Sequence, residues 1–112
     1  MIEEILRGYL QSKLGAIPVR LEREESLPEK YVILEKTGSS EENQIRTATF
    51  AVQSYAGSLY EAAALNELIK EHMEALPDER DDIFACELNS DYNFTDTTFR
   101  EYRYQAVFDI VY

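Results

Sequence analysis

The side chains that could act as nucleophile, base or metal ligand include only one histidine, His72, and one cysteine, Cys86. Nucleophilic catalysis by Ser, Thr or Cys needs a base beside it, most often His. His72 falls on or near the apolar stripe of a helical pattern, where a packed or solvent-reaching histidine is expected rather than a catalyst. Cys86 sits in the strand-like run Ala85-Cys86-Glu87, in a place that suits a small apolar side chain, and buried cysteines of this kind are inert. A zinc site would have to be built mostly from carboxylates, which is uncommon. Asp91, Asn93 and Thr95 carry the oxygens of a calcium-loop start, but Asp96 stands where the loop needs Gly and Tyr102 where it needs Glu. Gly8, Gly15, Gly38 and Gly57 are too far apart to make a phosphate-binding loop. No catalytic constellation, cofactor or metal is expected. An enzyme working with carboxylates alone would need a concave pocket holding a strongly perturbed acid.

Charge narrows the partners. The 112 residues include 22 acidic and 11 basic side chains, a formal charge of −11. Affinity for nucleic acid comes largely from cations that release counterions from phosphate, so direct nucleic-acid binding is not expected. The same charge opposes binding to an anionic membrane, and no apolar run reaches the roughly 18 to 20 residues that span a bilayer. The start Met1-Ile-Glu-Glu is acidic and amphipathic, unlike a secretory leader, which places the chain in a cytosol.

The elements that carry these residues follow from periodicity. The run Gln44 to Tyr55 alternates, with Ala48, Phe50 and Val52 to one side and Thr47, Thr49 and Gln53 to the other, as in a core strand with one buried face. It leads directly into a helix whose start, Ser58 with Glu61, has the spacing of a capping box. The helical stripe Ala62, Leu65, Leu68, Ile69, Met73 and Leu76 ends at Pro77, which stops it. Residues 2 to 14 form a first amphipathic helix with Gly15 at its C-terminal cap; Gly8 within it marks a close approach to another backbone. Ile17 to Glu22 carries Pro18 and reads as an edge strand; Tyr31 to Lys36 is a second strand.

Thr37 to Asn43 reads as a polar connection within a hairpin, with a projecting loop. Ile83 to Leu88 forms a further strand, and Asn89 to Thr98 a second polar link. The last strand sets Tyr102, Tyr104, Ala106, Phe108, Ile110 and Tyr112 on one face, and Val111-Tyr112 pins its end into the sheet. The expectation is one α+β domain over 1–112, in the order α-β-β-β-α-β-β, with two helices packed on one face of a mostly antiparallel sheet of about five strands. With eight tyrosines in the chain, the aromatic area of Phe99, Tyr102, Tyr104, Phe108 and Tyr112 exceeds what a small sheet needs for its core, and suits either cross-strand packing or a subunit contact.

This order, with Tyr31-Val-Ile-Leu-Glu35, Thr47-Ala-Thr-Phe-Ala-Val-Gln-Ser-Tyr55 entering Ser58-Leu-Tyr-Glu61, and Tyr104-Gln-Ala-Val-Phe-Asp-Ile-Val111, resembles the tail terminator or head–tail joining proteins of long-tailed bacteriophages. The resemblance covers essentially the whole chain. It implies a structural, non-enzymatic virion protein that forms a ring, hexameric in that family, caps the tail tube and joins it to the head. The partners implied are further copies of the chain, the tail tube and the connector, with assembly in a bacterial cytoplasm and residence in the virion tail. An acidic wall that repels phosphate suits a channel through which DNA passes. Contacts are expected on the two projecting links, at Gly38, Ser39, Glu41, Glu42 and Asn43 and at Asp91, Tyr92 and Phe94, together with Tyr102 and Tyr104 of the last strand. The alternative is an acidic binding module or inhibitor that mimics nucleic acid toward a basic protein.

Overall fold

A computed structural model describes residues 1–112, in chain order α1 (Ile2–Leu14), β1 (Val19–Arg20), β2 (Tyr31–Glu42), β3 (Ile45–Ala56), α2 (Leu59–Glu79), β4 (Ala85–Asn93) and β5 (Tyr102–Val111). The expected α+β order is the observed one. The five strands form one sheet, β1-β2-β3-β5-β4, antiparallel throughout except for the β1–β2 pair. β3 pairs along its length with β2 on one side and β5 on the other, which is why its apolar positions Ala48, Phe50 and Val52 are fully enclosed.

Both helices lie on the same face of the sheet. Leu6, Leu10 and Leu14 of α1 and Leu65, Ile69, Met73 and Leu76 of α2 join Val32, Leu34, Phe50, Phe108 and Ile110 in one core. Ser58 accepts a hydrogen bond from the Glu61 N–H at 3.2 Å, the first half of the expected capping box. The helix also departs from its expected stripe. Leu68 is exposed, and Asn66 is buried in its place.

Pro77 does not stop α2. A proline removes one N–H, but the next turn still closes through Arg80 N–H to the Leu76 carbonyl at 3.0 Å. Tyr9 of α1 also reaches across to α2, where its one hydroxyl proton is shared between the Glu79 carboxylate at 2.6 Å and the His72 carbonyl at 2.7 Å. Nor does Gly8 mark a close approach, since a Cβ there would meet nothing within 4 Å. Gly15 is required for another reason: it ends α1 at φ 62°, a conformation L side chains rarely adopt.

The edges differ most from expectation. Of Ile17 to Glu22, only Val19 and Arg20 pair, because Pro18 has no N–H to donate; its carbonyl instead accepts from Val32 N–H at 2.9 Å. β4 begins two residues later than expected and runs on to Asn93, through a bulge between Leu88 and Ser90, so half of the expected polar link is strand. Phe99, grouped above with the last strand, lies outside it in the 94–101 loop. The C-terminus is pinned as expected: Tyr112 N–H bonds the Arg46 carbonyl at 3.0 Å, and the Arg46 guanidinium lies 4.8 Å from the Tyr112 ring.

Candidate interaction surface

The residues from Thr37 to Asn43 form no loop. β2 continues through a bulge between Lys36 and Gly38, and its ladder with β3 runs on to the Glu42–Ile45 pair. Asn43 and Gln44 close the hairpin with φ of 54° and 66°, the two positive values of the tight turn that matches strand twist. The sequence hid this because its polar residues resemble a connection, while an exposed edge strand with no core to cover has no reason to alternate.

The outcome is an arm. Every residue from Glu35 to Arg46 is exposed, and beyond Ile33 the outer edge of β2 has no partner strand. Gly38, Ser39, Glu41, Glu42 and Asn43 therefore do sit together, on the arm and its tip. As far as Ser40 this outer part of β2 is the edge of the sheet, resting on the part of β3 that β5 flanks on its other side. Only the tip, Glu41 to Arg46, is a two-stranded ribbon, a form marginal in water by itself. Below the tip the edge strand is tied down: Ser40 and Thr47 hydroxyls bond at 2.6 Å, Thr37 Oγ1 donates to the Thr49 carbonyl, and Lys36 pairs with Glu3 of α1 at 3.3 Å.

The remaining candidates lie at the far end of the sheet. Tyr102 is opposite Ala56 and Tyr104 opposite Ser54, whereas the arm tip adjoins Ile45, and twelve residues of strand span roughly 36 Å. The ten residues thus form two groups, not one site. Asp91 faces inward: its carboxylate accepts from Asn66 and Lys70 of α2, both at 2.9 Å, and so ties the edge strand to the helix. Tyr92 lies on the opposite, open face of the sheet, edge-on to Phe94 with centroids 5.9 Å apart. The Arg103 guanidinium lies 4.4 Å from the Phe94 ring.

No helix covers that open face. A row of two side-chain amides and a phenol crosses three strands there, with Gln53 donating to Gln105 at 2.8 Å and Gln105 donating to Tyr92. Beside it Asp109 accepts from Thr49 and Asn89 and stands directly across from Glu87, two carboxylates with no base between them. Like charges directly opposite are unfavourable in a sheet. Toward the other end, Tyr31 and Tyr55 stack at 4.5 Å with Ile33 beneath Leu27, and the guanidinium groups of Arg23 and Arg103 lie 5.3 and 5.7 Å from the Tyr55 ring. A cavity of about 190 Å³ opens beside this stack, between Glu29, Arg100 and Tyr102, where the Glu29 carboxylate folds over Gly57 so closely that a Cβ there would meet it at 2.5 Å.

The two side chains with catalytic potential lie elsewhere. Cys86 packs against the core on the helix side, and burial, with Glu74 and Asp109 adding to it, pushes its thiol up to about 12. His72 lends its backbone carbonyl to Tyr9. The carboxylates that move do so downward, Glu79 because Lys13 and Tyr9 bond it, Asp82 because of Arg80, and Glu4 because of Arg7.

Sequence reasoning missed the inward tie of Asp91 and the Tyr9–Glu79 brace. An asparagine at a position that interrupts the apolar stripe of α2 was the signal for the first; the second joins residues 70 apart and leaves no local trace. Comparison with protein-family models and with curated proteins finds no match to this chain.

Proposed function

We propose that this chain is a structural subunit that assembles into a ring of tail-terminator or head–tail joining type, capping a phage tail tube and residing in the virion tail. The observation that carries the reading is the arm. An edge strand exposed from Glu35 onward, its outer backbone edge open, and a two-stranded tip over 41–46 that projects past β5 gain little for the isolated fold and fit a contact with a neighbour. The uncovered sheet face offers a second surface, and the charge of −11 suits a wall that DNA passes without binding. No helix is long and apolar enough to cross a membrane.

The test is native mass by sedimentation over a range of protein concentration, with and without magnesium. A species near six subunits is the expected result. A monomer under every condition that also fails to bind purified tail tubes would overturn the reading. A second reading, an acidic module that mimics nucleic acid, has one observation in its favour: Glu67, Glu71, Glu74 and Asp78 form an exposed carboxylate row along α2, of which only Glu67 pairs with a base. It requires a stable monomer or dimer that competes with DNA for a cationic protein.

A further inference from the structure

The loop between β4 and β5 is tightly ordered yet buries little. Asp96 and Glu101 exchange two backbone hydrogen bonds at 3.0 Å, the Asp96 carboxylate accepts from the Thr98 and Phe99 N–H groups, and Arg103 donates to the Phe94 carbonyl at 2.6 Å. This frame holds up Phe99, which is 75 % exposed. Arg100 follows at φ 54°, in the left-handed region that costs a side-chain-bearing residue energy, and it pairs with no carboxylate. Ordering a loop in order to expose an aromatic ring and an unpaired cation prepares it as an anchor, because the entropy of docking has already been lost.

A receptor of matching chemistry lies on α2. Tyr60, Ala63, Ala64 and Glu67, with Tyr104 of β5, line a groove of about 320 Å³ that is apolar except for Glu67. The small side chains at 63 and 64 make the depression. The groove is open to solvent on one side, and its volume exceeds the ~150 Å³ of an enclosed cavity that accepts benzene, so a phenyl ring can lie in it. The rim is acidic: Glu61, Glu67 and Glu71 are exposed on the same helix, and Lys70 is the one base nearby, already bonded to Glu67 and Asp91. Phe99 of the same chain does not line the groove.

We infer that the Phe99–Arg100 tip of one copy docks in the α2 groove of a second copy, the ring between Tyr60 and Tyr104 and the guanidinium against Glu67. The partner is a second copy because the anchor and its receptor, apolar for apolar and basic for acidic, occur on one chain at separate places. The inference rests on the self-association proposed above and names one contact within it. The aromatic ring carries most of the attraction, since an exposed ion pair adds little.

The experiment is sedimentation of the full chain over a concentration series, with urea midpoints confirming that each variant is folded. Phe99→Ala is expected to weaken self-association by about thirtyfold or more, as an interface anchor does. Arg100→Glu and Glu67→Arg each weaken it, and the double variant Glu67→Arg with Arg100→Glu recovers part of the loss. If the wild type assembles and Phe99→Ala assembles equally well, the contact is elsewhere and this inference falls while the ring reading stands. Lack of recovery in the double variant would overturn the pairing of Arg100 with Glu67. If the wild type stays monomeric at every concentration, the contact is not made between copies, and binding to purified tail tubes then judges the ring reading by itself.

Discussion

The Tyr9 hydroxyl donates to Glu79 Oε2 at 2.6 Å while Lys13 donates to the other oxygen of the same carboxylate, also at 2.6 Å. Two residues one helical turn apart on α1 thereby hold the final turn of α2, just past a proline that weakens it. Burial, followed by the bond to Glu79, raises the Tyr9 phenol well above its usual value, which keeps the hydroxyl protonated and a donor around neutral pH. Tyr9→Phe is expected to destabilise the fold by about 1 kcal/mol, the usual worth of such a bond, and to fray α2 beyond Met73. Urea unfolding gives the first and amide hydrogen exchange the second. Unchanged exchange in the last turn would show that Pro77 is accommodated without the brace.

Acid should weaken the same brace. Glu79 lies below its ordinary value of 4.5 because Lys13 and then Tyr9 bond its charged form. A carboxylate depressed on folding contributes stability that is fully present above its unfolded value and is lost as pH falls through the lower folded one. The difference in urea midpoint between the wild type and Lys13→Met is therefore expected to stay constant above pH 4.5 and to shrink below it. A difference that grows on acidification would contradict this assignment.

Two glycines of the first helix should respond with opposite signs. Gly8 is mid-helix with open space where a Cβ would go, so Gly8→Ala is expected to stabilise by about 0.5–1 kcal/mol. Gly15 turns the chain at φ 62°, and Gly15→Ala is expected to cost about 1–3 kcal/mol. Thermal unfolding of both variants decides the matter.

The arm should be dispensable for folding and necessary for assembly. Glu41→Lys with Glu42→Lys changes only exposed positions and is expected to alter stability by less than about 0.5 kcal/mol while changing tail joining. Normal joining by this variant would remove those residues from the contact.

Assembly should also respond to salt. Copies that each carry −11 repel over a range of about 8 Å at physiological ionic strength, so added salt or magnesium is expected to favour the ring. Assembly that weakens with salt would mean that ion pairs between copies outweigh the repulsion.

Where one side of an element meets the core and the other meets water, the chain spelled out its own structure. The alternation through Ala48, Phe50 and Val52, the helical spacing of Leu65, Ile69, Met73 and Leu76, and the Ser58 cap all appear where periodicity placed them. Legibility failed where no such contrast exists. The arm has water on both faces, so Thr37 to Asn43 carries the composition of a loop and the hydrogen bonds of a strand. Pairing between strands was equally silent: nothing in Asn89 to Asn93 alone announces that Val107 to Tyr104 lies beside it. The candidate surface fared accordingly. The arm residues share one hairpin, whereas the inward tie of Asp91 is not legible in the sequence because its partners Asn66 and Lys70 lie 25 and 21 residues away.

The place of β5 between β3 and β4 has a consequence for synthesis. The β2–β3 hairpin is local and can close while the chain is still being made, but β4 touches the sheet only through β5. Until Tyr102–Val111 has left the ribosome tunnel, Phe50 lacks its cross-strand neighbour Phe108, α2 has half a floor, and β4 has no strand to join. A nascent chain halted before Tyr102 would therefore present its core to proteases and chaperones, and β3–β5 pairing, across some fifty residues, is the step expected to set the folding rate.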